Sequence, residues 1–197
     1  GNSGISGQLI LETCPLSPSN PYAASKAASD LYLQERFDSK FLPKVTITRA
    51  FSHTGPRRGK NFSISSDAFQ IAKMITGKTK DRILKVGNLT TTRVVMDVKD
   101  CVKAYYLLML RDNFSNIVYN VCGDIPRKME FYTDKLIEIS NLKEVIKEID
   151  PSLYRPIDIY YQHGDISRIN KDIDFKPLID IHSTLSELLT YWINKLR

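Results

Sequence analysis

The chain has 197 residues, with 28 basic and 22 acidic side chains, a formal net charge of +6 and 42% hydrophobic residues. That length buries one sizeable core, alone or with a small lobe beside it, and the balance of apolar and charged residues is that of a globular protein. No apolar run is long enough to span a bilayer, and no basic start leads into an apolar segment, so neither a membrane span nor a signal peptide is expected. The positive charge suits a polyanion, either nucleic acid or a nucleotide diphosphate sugar. Few aromatics flank Arg57-Arg58 or the 78–82 segment, so platforms for stacking bases are lacking and nucleic acid is not expected.

Gly1 to Ser19 is rich in Gly, Ser and Pro and reads as loop. A helix then starts, with Pro21 suited to its first position and Asn20 or Ser19 as its cap. Ala23, Ala27, Leu31 and Phe37 recur at helical spacing to about Lys40, and Pro43 stops the pattern. Tyr22 and Lys26 stand four residues apart on this helix and share a face. A free phenol, with a pKa near ~10, is a poor base at neutral pH. An ammonium beside it favours the phenolate and brings proton transfer closer to physiological pH. A redox enzyme needs such a pair to move a proton at a sugar or alcohol oxygen while hydride moves at the carbon. The spacing alone equally suits a packed tyrosine beside a solvated lysine.

Lys44 to Phe51 is a β-branched run suited to a buried parallel strand. Helix followed by such a strand is the rhythm of a doubly wound α/β sheet, which binds ligands beyond the carboxyl ends of its strands. The loop there, Ser52 to Phe62, offers Arg57, Arg58 and Lys60 between Gly55 and Gly59, a composition that suits phosphate oxygens. Ser65-Ser66-Asp67 is expected to cap a second helix that runs through Phe69, Ile71, Ala72 and Ile75 to Gly77. A solvated turn with Lys78, Lys80 and Arg82 leads into a short strand and turn from Ile83 to Leu89. Asp97 or Asp100 starts a helix whose Val102, Tyr106, Leu107 and Leu110 read as core. Ile117 to Gly123 is a last sheet strand, 129–140 an amphipathic helix and 145–149 a short strand. Leu185, Leu188, Leu189, Trp192 and Leu196 mark a closing amphipathic helix. Cys14, Cys101 and Cys122 are odd in number and lack metal-ligand spacing, so they read as reduced cysteines of a cytoplasmic protein, and no metal site is expected.

Pro18-Ser19-Asn20-Pro21-Tyr22-Ala23-Ala24-Ser25-Lys26 resembles the active-site helix of the extended short-chain dehydrogenase/reductases, enzymes that remodel nucleotide sugars. Further segments continue the likeness in order. They are His53 to Phe62, Gly87-Asn88-Leu89 followed by Arg93 and Asp97-Val98-Lys99-Asp100, then Tyr119-Asn120-Val121-Cys122, Arg155-Pro156-Ile157-Asp158 and Gly164-Asp165. These are similar to the GDP-mannose 4,6-dehydratases and their partner reductases. The resemblance implies an α/β fold, the C-terminal part of a doubly wound Rossmann-type parallel sheet with a small α/β substrate-binding lobe. Residues 1–62 and 93–123 would then belong to the NAD(P)-binding domain, and residues 63–92 and 124–197 to the nucleotide-sugar lobe. Gly1 resembles the glycine just after the family's strand with the catalytic Ser or Thr, so the chain is expected to be the C-terminal two-thirds of such an enzyme. The glycine-rich dinucleotide fingerprint is absent from these residues.

By the same resemblance Tyr22 and Lys26 are catalytic and also touch the cofactor, NADP or NAD, which His53 and Arg58 contact as well. Asn61, Asn88, Arg93, Arg155 and Asp158 fall to the nucleotide-diphosphate sugar, with a GDP-hexose favoured. Ser52 stands where the family usually has Asn, and Val94 where it has Asp, so local contacts there differ. Thr54 and Asn120-Val121-Cys122 favour the reductase that converts GDP-4-keto-6-deoxy-mannose to GDP-rhamnose. A dehydratase, a 4-epimerase and an inactive nucleotide-sugar-binding module are the alternatives. Cys122 is expected to be buried rather than catalytic, and a homodimer through the Tyr22 helix and its neighbour is implied.

Overall fold

In the computed structural model, which describes residues 7–42, 44–112, 117–154 and 159–197, the first helix α1 (Pro21–Asp38) begins as its cap dictates. The Asn20 side-chain oxygen accepts a hydrogen bond from the Ala23 amide at 2.8 Å, and Pro21 sits where no amide is required. Leu33 and Phe37, rather than the expected Leu31, pack inwards, and Leu31 is 58% exposed. The buried residue of α1 is Asp30. Arg49 of β1 (Ile47–Ala50) grips it with two prongs, Nε to Oδ2 at 2.7 Å and Nη2 to Oδ1 at 3.0 Å. A third donor of Arg49 reaches the Glu12 carbonyl at 2.7 Å and ties the preceding loop to the same anchor.

Strand β1 pairs in parallel with β6 (Val118–Val121), Ile47 opposite Val118 and Ala50 opposite Val121. All four residues of β6 are buried, as a strand covered on both faces requires. One face carries Ile47, Ile117 and Val118 against α1. The other carries Tyr119 and Val121 against Cys101, Ala104 and Leu108 of α3 (Val98–Leu110), Ile169 of α5 (Ser167–Ile173) and Phe175. Helix α3 is capped by Asp97, whose side chain accepts from the Lys99 amide at 2.7 Å. Its packed face is not the expected one. Val102, Tyr106 and Leu110 are 56%, 55% and 57% exposed, because the side turned to the sheet is the 101–104–108 stripe. A short parallel pair, β2 (His53–Thr54) with β5 (Met96–Asp97), continues this layer.

A separate core joins α2 (Ser63–Ile75), β3 (Ile83–Val86), α4 (Met129–Ser140) and α6 (Ile181–Leu196). Strand β3 pairs in parallel with β8 (Ile146–Ile149). Trp192 meets Phe69 and Tyr191 edge-on at ring distances of 4.9 and 5.2 Å. Helix α2 starts two residues earlier than Ser65-Ser66-Asp67 suggests, after Phe62 and without a side-chain cap. Ser65 and Asp67 are instead buried and spend their polar atoms on tertiary bonds. A three-stranded sheet with β4 (Thr92–Val94) at its centre, between antiparallel β7 (Pro126–Lys128) and parallel β9 (Tyr161–Gln162), lies beside this core. The fold is α/β with parallel strand pairs, as the sequence implies.

Candidate active site

Tyr22 occupies the first turn of α1 and is 73% exposed, its ring open to solvent. Lys26 comes up from the next turn, with Nζ 5.7 Å from the Tyr22 ring centroid. Arg58 adds a second positive charge beside them. Burial pulls this guanidinium below its ordinary pKa, and the Tyr22 oxygen is near enough to act on it in the opposite direction. Its Cζ lies 3.5 Å from the centre of the Phe62 ring, which holds the guanidinium flat. The loop behind Arg58 is fixed from the second core. Trp192 Nε1 donates to Ser65 Oγ at 3.0 Å, and Ser65 Oγ donates to the Arg58 carbonyl at 2.7 Å. Gly55 lets this loop lie against α3, since a Cβ there would stand 2.7 Å from Val98 Cγ1.

His53 is half-buried, and its Nδ1 lies 3.0 Å from the Phe51 carbonyl. A carbonyl only accepts, so Nδ1 donates in this bond. Asn61 is exposed next to Gly59. Asn88 shapes the turn before β4, its oxygen accepting from the Thr90 amide at 3.0 Å and the Thr90 hydroxyl at 2.7 Å. The backbone of Leu153 packs against Gly87 in that turn, 3.2 Å from where a Cβ would be. Arg155 and Asp158 lie outside the described residues. Arg93 is the middle residue of β4; its Nη1 donates to the Thr92 carbonyl at 2.9 Å and its own carbonyl accepts from the Tyr132 hydroxyl at 3.0 Å. Tyr22, Lys26 and Arg58 are therefore brought together, and Asn88 and Arg93 flank a second locus at the three-stranded sheet.

The sequence alone did not reveal a cavity of about 200 Å³ between the loop at Ile10–Leu16 and the carboxyl end of β1. Phe51, Asn120 and Gln162 contribute to its lining, and none of the expected site residues among the described ones does. Asn120 is held there by donating to the carbonyls of Ile10, at 2.8 Å, and Asp165, at 3.2 Å. Gly164 lies under the Phe51 ring, where a Cβ would come within 2.4 Å. Arg127 on β7 was equally missed, because a strand of three residues has too little alternation to be read. Cys122 is fully buried, its thiol pushed up to about 12 by burial, so it supplies no thiolate at neutral pH. Among the described residues no cluster of His, Cys, Asp and Glu is placed to hold a metal ion, and no helix is long and apolar enough to cross a membrane.

A family model described as GDP-mannose 4,6 dehydratase matches residues 4–188. The GDP-6-deoxy-D-mannose reductase of Pseudomonas aeruginosa is 34% identical over 181 residues, covering 91% of this chain and 58% of that protein. The GDP-mannose 4,6 dehydratase of Cricetulus griseus is 25% identical over 195 residues, covering 90% of this chain and 51% of that protein. The structure of RMD from Pseudomonas aeruginosa complexed with NADPH superposes with a TM-score of 0.85 at 30% identity, over 94% of this chain and 60% of that one. The chain thus spans between half and three-fifths of the length of these relatives. With the match running through nearly all of its length, the chain belongs to the GDP-mannose 4,6 dehydratase family.

Proposed function

We propose that this chain is the substrate-binding and proton-transferring part of an NAD(P)-dependent oxidoreductase acting on a nucleotide-activated hexose, and that its reaction is the reduction of GDP-4-keto-6-deoxy-mannose to GDP-rhamnose. The observation that carries the reading is the exposed Tyr22 with Lys26 one turn behind it and the half-buried Arg58 beside it. The 34% identity to a GDP-6-deoxy-D-mannose reductase, against 25% to a GDP-mannose 4,6 dehydratase, favours reduction over dehydration. Residues 1–62 and 93–123 form the dinucleotide side, and 63–92 with 124–197 the nucleotide-sugar side. Their largely separate cores support this division, although α5 packs against the first core.

The nicotinamide, NADPH or NADH, supplies the hydride when bound. Tyr22 gives its hydroxyl proton to the sugar 4-oxygen as negative charge develops there. Lys26 stabilises the phenolate left behind and holds the nicotinamide ribose. Arg58, stacked on Phe62 and partly desolvated, fits a phosphate group of a dinucleotide, and His53, held through Nδ1 by the Phe51 carbonyl, lies on the same side. Arg93 and Arg155 hold the substrate diphosphate, with Asn61, Asn88 and Asp158 towards the nucleoside and sugar. Binding energy far from the reacting carbon thereby positions it. A homodimer through α1 is supported by exposed Leu31 and Tyr32 on that helix, and cytoplasmic residence by three free cysteines.

The direct test places residues 1–197 behind a glycine-rich dinucleotide-binding segment of a relative and follows NADPH consumption with GDP-4-keto-6-deoxy-mannose. Turnover that vanishes in Tyr22→Phe is expected. Turnover of GDP-mannose in preference to the keto sugar would move the assignment to dehydration.

A further inference from the structure

Across the sheet β7-β4-β9 three polar residues stand in register. Arg93 is directly opposite Arg127 in the antiparallel pair and directly beside Gln162 in the parallel one. Residues in register share a face of a sheet, so two arginines and an amide form one row. Like charges placed opposite each other destabilise a strand pair unless something offsets them. No described carboxylate does so for Arg127, since the ion pairs of the described residues use other cations. The guanidinium of Arg127 lies instead 4.2 Å from the centre of the Phe131 ring. Stacking of this kind shields one flat side from water and leaves the in-plane donors for an acceptor. Tyr132, beside both arginines, is not an anionic partner for them. Its hydroxyl donates to the Arg93 carbonyl, and burial raises its pKa to about 12, so it carries no charge at neutral pH. At the far end of the row Gln162 opens onto the cavity below Phe51 and Asn120.

We propose that Arg127 is a second diphosphate-binding residue, acting with Arg93 across the strand pair, and that Gln162 offers its amide to the same ligand at the cavity end of the row. This rests on the nucleotide-sugar reading above. Neighbouring strands lie about 4.8 Å apart, a separation at which two forked donors reach two bridged phosphoryl groups, each carrying charge. A monophosphate engages only one fork. The row therefore discriminates by the number of phosphoryl groups as well as by charge.

The test is calorimetric titration of the 197-residue chain with GDP and with GMP, together with thermal unfolding of the same proteins. The unsubstituted chain is expected to bind GDP more tightly than GMP. Arg127→Gln should weaken GDP by about tenfold, as loss of one charge-assisted contact does, while changing GMP little. Arg127→Lys should recover part of the loss, because an ammonium lacks the planar fork. Without ligand, Arg127→Gln should melt no lower than the parent, since it removes a like-charge opposition. If Arg93→Gln weakens GDP and Arg127→Gln does not, the proposal is wrong and the nucleotide reading stands. If Arg127→Gln lowers the melting temperature and spares GDP, Arg127 is a packing residue and the proposal is equally wrong. If the parent chain binds no GDP, both fall.

Discussion

Tyr22 must meet a substrate oxygen to work as an acid, and its open position on the first turn of α1 allows this. Replacing it by Phe removes only the hydroxyl of an exposed ring. In a protein carrying these residues behind a dinucleotide-binding segment, Tyr22→Phe should lower kcat by on the order of 10²–10⁴-fold without altering the unfolding midpoint. Lys26→Met should also lower kcat and shift the acid–base limb of the pH–rate profile upward. The arginines divide by ligand: Arg58→Ala should weaken the dinucleotide more than the sugar nucleotide, and Arg93→Ala the reverse, as paired titrations would read. Tyr22 and Lys26 were legible in the sequence because four residues along a helix fix a shared face whatever the rest of the fold does. Arg127 and Gln162 were not, because their relation to Arg93 exists only once two other strands are laid beside β4. Val102 and Leu110 misled for a related reason. Helical spacing gives two candidate apolar stripes on α3, and only the sheet decides which one it covers.

Among the elements, α1 and α3 were visible through their caps Asn20 and Asp97, and α4 and α6 lie where the apolar spacing puts them. The two- and three-residue strands β2, β4, β5, β7 and β9 were not, since so short a stretch has no period of its own. Two contacts between elements give measurable consequences. Asp30 fastens the Tyr22 helix to β1 through the two-pronged bond from Arg49, with both side chains largely buried. Asp30→Ala leaves that guanidinium without its partner and should cost about 3–5 kcal/mol in urea unfolding, with Asp30→Asn intermediate.

Asp67 of α2 accepts from the Thr133 hydroxyl of α4 at 2.7 Å in a fully enclosed position, and burial raises its pKa to about 7. The folded state thus holds this proton more tightly than the unfolded chain, whose carboxyl releases it near pH ~4. The stability that protonation brings is complete below about pH 4 and is lost as pH rises towards 7, amounting to up to ~4 kcal/mol at roughly 1.4 kcal/mol per pKa unit. Asp67→Asn keeps an acceptor for Thr133 and carries no charge. It should therefore flatten this part of the pH dependence and stabilise the protein at pH 8, and equal unfolding midpoints of the two proteins at pH 5 and at pH 8 would contradict that.

At the scale of the whole molecule two cores meet around β4 and β5. One is built on the β1–β6 pair and its flanking helices, the other on α2, α4 and α6. The hydrogen bonds from Trp192 through Ser65 to Arg58 join the second core to the loop that carries Arg58. Arg93 and Arg127, proposed to hold the diphosphate, belong to the sheet between the cores. The glycine-rich helix start that cradles a dinucleotide pyrophosphate is not among these 197 residues. The most direct measurement is therefore calorimetry of residues 1–197 with GDP-mannose and, separately, with NADPH. GDP-mannose should bind, with Arg93→Ala raising its Kd by about 10–100-fold, and NADPH should bind weakly or not at all. Micromolar binding of NADPH with no heat from GDP-mannose would contradict the reading of this chain as the substrate-binding and proton-transferring part of the enzyme.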